Sequence, residues 1–136
     1  MKNRSFLTPP VGVELFETPI SIHWMGEPGI MFVASKPVEH TLEYYMEVIQ
    51  VYSRLVTGGI KLCMLADATN SMPMSKEIQN FVAAETPKYI KAMAIVTGTP
   101  FENTRTKTFL KLAFAGFPIQ MFRTKDDALI WLREFL

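Results

Sequence analysis

Asp67, Thr69, Asn70, Ser71 and Ser75 fall within nine positions of LADATNSMPMSKEI, residues 65–78, the densest candidate site in the sequence. Two kinds of chemistry suit such a cluster. A hydroxyl at a helix start can carry a phosphate, because free N–H groups and the helix dipole stabilise an anion there; the same groups hold an unmodified serine as N-cap. A carboxylate ending a buried strand lies where α/β sheets place ligands, and it also accepts N–H bonds from its own loop. Met72 and Met74 flank Pro73 in this stretch, and flexible thioethers suit an adaptable apolar contact. The candidate contacts to a partner or phosphate are therefore Asp67, Thr69, Ser71, Met72, Met74 and Ser75, with capping the expected role of Ser75.

Other reactive side chains form no such group. His23 lies in an apolar segment and His40 just before a helix, without HxH or HxxxH spacing, so both are expected to be structural and no metal site is expected. Cys63, the single cysteine, lies within KLCMLA, where a buried thiol is expected and neither an intrachain disulfide nor CxxC chemistry exists. No GxSxG, GxGxxG or P-loop occurs, and Thr97-Gly98-Thr99-Pro100 is too short a glycine signal to cradle phosphate. Without a nucleophile–base pair, the expectation is a non-catalytic protein with no cofactor. A phosphoacceptor role for Asp67 would need a pair of acids after the first strand to hold Mg²⁺. The first strands instead end in Trp24-Met25-Gly26 and Ala34-Ser35-Lys36, and Asp126-Asp127 opens the last helix, where the dipole favours acids.

Composition narrows the class further. The chain of 136 residues is 49% hydrophobic and 20% charged, which predicts one globular domain over 1–136. Fourteen basic residues against thirteen acidic leave a formal charge of +1, too weak a field to attract nucleic acid or anionic lipid. Arg105, Lys107 and Lys111 are read on one helix with Phe101 and Phe109, where a basic-aromatic patch for nucleic acid is the alternative to the expected arrangement of phenylalanines in the core and charges on a solvated face. Pro9 and Pro10 break the N-terminal segment, and no run of about 18 apolar residues follows. The expectation is a cytoplasmic protein without membrane insertion.

Residues 13–25 and 29–35 are apolar, β-branched segments around the turn-rich Gly26-Glu27-Pro28-Gly29, which predicts one or two strands and a hairpin. Pro19 implies a bulge or an edge. Over 41–56, Leu42, Tyr45, Met46, Ile49, Tyr52 and Val56 recur at helical spacing, with Thr41 as N-cap and Gly58-Gly59 as terminator. Residues 61–67 predict a central strand covered on both faces. A helix from Ser75 to about Thr86, a strand over 91–98, a helix over 103–116 and a strand over 117–122 follow. Thr124 and Asp127 open a fourth helix in capping-box spacing. Such alternation predicts an α/β fold: an N-terminal β-hairpin, then a mainly parallel, mixed sheet with four helices.

This order, with KLCMLADAT, KAMAIVTG and the closing FPIQMFRTKDDALIWL, resembles the STAS domain of anti-sigma-factor antagonists. It is more closely similar to uncharacterised STAS-like proteins grouped with SEC14-type lipid-binding domains, whose last strand carries a Pro and an aromatic and leads into a helix with Ala and Trp-Leu, as FPIQMF, Ala128, Trp131 and Leu132 do here. The resemblance implies a single STAS-like domain with a binding or regulatory role through the loop 67–75 and the next helix. Its SEC14-type side implies a carrier or sensor of a small apolar ligand as the alternative. A protein partner and a homodimer are both left open. Regulatory members carry a phosphorylatable hydroxyl in an Asp-Ser-Gly-like motif where this chain has Met74-Ser75-Lys76, a departure that speaks for the cap.

Overall fold

The computed structural model describes residues 7–70, 72–96 and 116–136. Six strands form one sheet in sequential order: β1 (Phe16–Thr18), β2 (Ser21–Glu27), β3 (Ile30–Ser35), β4 (Leu62–Asp67), β5 (Ile90–Val96) and β6 (Ile119–Phe122). The first three pair antiparallel and the last four parallel, so the sheet is mixed. Among the described residues there are three α-helices: α1 (Leu42–Leu55), α2 (Lys76–Glu85) and α3 (Lys125–Leu132). The further helix expected over 103–116 and the segment 97–100 lie outside the described residues, as does Ser71.

Alternation along the strands divides the core into two layers. Met31, Met64 and Met93 align across β3, β4 and β5 on one face, and α1 and α2 cover them with Val48, Ile49, Tyr52 and Phe81. The next residues along the strands, Ile30, Cys63 and Ala92, then Phe32, Leu65 and Ala94, align on the other face under Ala128, Leu129 and Leu132 of α3. Small side chains at Cys63, Ala92 and Ala94 let α3 lie close to the sheet. At eight residues α3 is too short to persist alone, so its docking, about 2 kcal/mol for each buried leucine, is what holds it helical.

The local expectations meet the structure with specific differences. Pro19 sits in the tight turn joining β1 to β2, and β1 is the sheet's edge. The expected tetrapeptide turn shrinks to Pro28-Gly29, with Gly29 at φ +83°, because Gly26 and Glu27 stay in β2. The irregularity falls at Gly26, where register shifts between Met25 and Glu27 and a Cβ would run into the Phe32 ring. The buried stripe of α1 is Val48, Ile49, Val51 and Tyr52, rotated from the expected face so that Met46 is 49% exposed. Val48, Ile49 and Tyr52 pack on the sheet, and tertiary packing decides between two stripes that spacing alone leaves equivalent.

All three helix caps form as the sequence predicts. Thr41, Ser75 and Thr124 accept the backbone N–H of Tyr44, Ile78 and Asp127 at 3.1, 3.3 and 3.1 Å. A two-pronged ion pair from Arg133 to Glu27, at 2.9 and 3.0 Å, ties the C-terminal turn to β2.

The layered core makes Cys63 a reporter of global unfolding. Its side chain is fully buried, its Sγ donates to the Leu132 carbonyl at 3.7 Å, and burial pushes the thiol pKa up. In native buffer a thiol reagent should therefore modify Cys63 only as fast as the protein unfolds, with denaturant restoring rapid labelling. Fast native labelling would mean that α3 does not cover the strand.

Candidate functional site

Residues 67–70 leave the C-terminal end of β4, an interior strand of the sheet, and residues 72–75 lead into α2. Asp67 is 1% exposed and works as an internal acceptor: its Oδ1 takes the Thr69 N–H at 3.0 Å and its Oδ2 the Leu7 N–H at 3.2 Å. Thr69 is buried beside it. These two expected contact residues therefore shape the loop from beneath instead of presenting themselves to a partner. Met72 and Met74 are half-buried, while Pro73, Ser75, Lys76 and Glu77 are exposed. The Ser75 hydroxyl is occupied by the Ile78 N–H, and Gln79 donates to the Met74 carbonyl at 3.1 Å, closing the loop onto the helix.

A second polar group lies beneath α1 and α2, and motif reasoning passed over it. His23 and Ser21 alternate on one face of β2, so both point away from Trp24 and toward α1. Ser21 Oγ and His23 Nε2 share a hydrogen bond of 2.6 Å, and Ser21 Oγ meets Thr18 Oγ1 at 2.7 Å. The His23 ring meets Tyr52 edge-on at 5.8 Å, and His40, buried before α1, meets Tyr45 edge-on at 5.2 Å. Among the described residues no hydrogen-bond partner reaches His23 Nδ1 or either ring nitrogen of His40.

Ser21, His23, His40, Tyr45 and Tyr52 line a pocket of about 70 Å³, shared with Ser35, Ala66, Ala68, Val82 and Thr86. The register explains the space. His23, Val33, Ala66 and Ile95 lie in one cross-strand row, and the β4 member is an alanine where the row behind it carries Met64. Ala68 continues the deficit at the first turn of the loop. The signal in the sequence is Ser-x-His at period two within an apolar strand, followed by Ala66 and Ala68 at alternate positions across the end of β4.

Electrostatics keep this pocket neutral. Burial lowers the His23 pKa to about 3 and that of His40 in the same direction, and it raises the Tyr45 and Tyr52 hydroxyls above their ordinary value. A serine hydrogen-bonded to a histidine is the first half of an acyl-transfer apparatus, but an imidazole with a pKa of about 3 is a weak base. Its far nitrogen also lacks the carboxylate that would orient it. Among the described residues, no group of three or more His, Cys, Asp or Glu side chains could hold a metal ion. None of the described helices is long and apolar enough to cross a membrane.

The architecture has a solved counterpart. An uncharacterised protein of the DUF3478 family from Shewanella loihica PV-4, with a SpoIIAA-like fold, superposes at a TM-score of 0.58 and 16% identity, over 93% of this chain and 98% of that one. The fold is thus SpoIIAA-like, the STAS-like class that the sequence resembles. The chain belongs to the family described as a domain of unknown function, DUF7793, which matches residues 24–136. No curated protein matches it.

The buried histidines predict how stability follows pH. Their folded pKa lies below the unfolded value of 6.5, so the unfolded chain takes up protons that the folded one refuses, and stability falls as pH drops below 6.5 toward about 3. Down to pH 5, before carboxylates matter, His23 alone should remove about 2 kcal/mol. Urea midpoints at pH 7 and pH 5 should differ accordingly, and the difference should shrink in His23→Phe. Equal midpoints would show that the imidazole is solvated.

Proposed function

We propose that the chain is a non-catalytic STAS-like interaction module that engages a protein partner through the loop 67–75 and the exposed first turn of α2. One observation carries this reading. The loop is fixed from below by Asp67 and closed onto α2 by Gln79, while Met72, Met74 and the Lys76-Glu77 turn remain at the surface. A preordered loop loses little conformational entropy on docking, and methionines adapt to an apolar partner surface. Ser75 serves this surface as the helix cap that holds the first turn in place, not as a switch. Among the described residues no strong base lies beside Ser21, which supports a binding role over catalysis. The pocket of about 70 Å³ falls well short of the roughly 300 Å³ that an apolar-ligand carrier requires, so it lends that alternative no support.

The test separates cap from switch and both from the contact surface. Ser75→Ala should lower stability by about 1 kcal/mol and Ser75→Asp should restore much of it, since aspartate caps equally well. Neither should change retention of a co-purifying partner, whereas Met74→Gln should weaken retention at an unchanged melting temperature. Loss of the partner on Ser75→Asp with the melting temperature held would make Ser75 a phosphate-responsive switch. Full retention in Met74→Gln would remove the loop from the interface.

A further inference from the structure

The pocket beneath α1 and α2 has features that the docking surface does not use. Its walls combine apolar side chains, among them Ile20, Val33, Val48 and Ile95, with the polar Ser21, Ser35, His23, His40, Tyr45, Tyr52 and Thr86. Every polar member except Ser35 and Tyr45 is buried, and those two are half-buried. His23 is fully enclosed, and three imidazole nitrogens of the two histidines have no hydrogen-bond partner among the described residues. Leaving such groups unsatisfied costs about 1–3 kcal/mol each, comparable to the loss from a core cavity. A closed hydrophobic core with Phe or Leu at positions 23 and 40 would avoid that cost.

We propose that this pocket is a binding site for a small uncharged molecule that both donates and accepts hydrogen bonds, of the size and chemistry of a short amide or alcohol. Neutrality follows from the lining. Among the described residues neither a carboxylate nor a Lys or Arg side chain lines the pocket, so an ionic ligand would be desolvated without a counter-charge. Dual hydrogen-bonding character follows from the imidazoles, since each neutral ring offers one N–H donor and one lone-pair acceptor, and only a ligand with both functions satisfies them together. Size follows from volume: 70 Å³ accommodates about five water-sized groups at roughly 10–15 Å³ apiece. The apolar half of the lining selects a ligand with a short alkyl part. The position agrees, because Ser35, Ala66 and Ala68 mark the C-terminal ends of parallel β3 and β4, where open α/β sheets bind ligands. Val82 and Thr86 place the same ligand against α2.

The test is histidine-ring ¹⁵N NMR of the full chain titrated with acetamide and ethanol, and in parallel with acetate and methylammonium as charged counterparts of similar size. Ligands of about four heavy atoms reach at best sub-millimolar affinity, so titration into the millimolar range suffices. Acetamide or ethanol should shift the His23 and His40 nitrogens saturably, and the charged pair should not. His40→Phe, which keeps a ring against Tyr45 but removes two nitrogens, should weaken the acetamide response of His23 at least tenfold. Should His40→Phe not fold, Ala68→Val narrows the pocket from the loop side and should weaken the response in the same way. The absence of a saturable shift with either neutral probe would overturn the proposal, as would tighter binding of acetate or an unaltered response in the folded variants.

Discussion

Burial of β4 on both faces is the constraint on which the remainder of the structure depends. Residues 62–67 are apolar at every position up to Asp67, so neither face tolerates water, and one helical layer must close each side. The two closures differ in kind. On the side of Cys63 and Leu65, small residues of β4 and β5 admit α3 at close range and the packing is dense. On the side of Met64, the methionine row fills the space under α1 and α2 until Ala66, where the fill stops. The pocket begins there.

The same strand end governs the loop. Asp67 is the point at which the apolar run becomes polar, and its carboxylate faces the α3 side to collect N–H groups from Thr69 and Leu7. Ala68, next in line, faces the pocket instead. Two consecutive residues thus organise the loop through one face of the sheet and open the pocket on the other. The surface formed by Met72, Met74 and the first turn of α2 and the neutral chamber lined by Val82 and Thr86 share α2 as a common wall.

The sequence shows the layered α/β scheme because its signals are local: the continuous run at 62–67, the cap residues Thr41, Ser75 and Thr124, and Pro28-Gly29 at the hairpin. The α1 face was less legible, since the spacing in that helix supports two stripes and only the sheet beneath chooses between them. Of the candidate site, the cap role of Ser75 was legible from its position before KEI. The bond that Asp67 takes from the Thr69 N–H is the expected loop bond of a strand-end carboxylate, whereas its bond from the Leu7 N–H, sixty residues away, could not be read from spacing. The His23–Ser21–His40 group was missed for a different reason. Ser-x-His carries no metal or catalytic spacing, and its meaning arises only when α1 folds Tyr45 and Tyr52 over it.

Site-specific photo-crosslinking tests the central claim, that this STAS-like module works by docking a partner on the loop and the start of α2. A benzophenone amino acid replaces the exposed Lys76 in one variant and the exposed Gln50 of α1 in another, and each is irradiated in the cells that make the protein. The account predicts a discrete crosslinked species from position 76 and none from position 50. Equal crosslinking from both positions, crosslinking from position 50 alone, or no product from position 76 would contradict it.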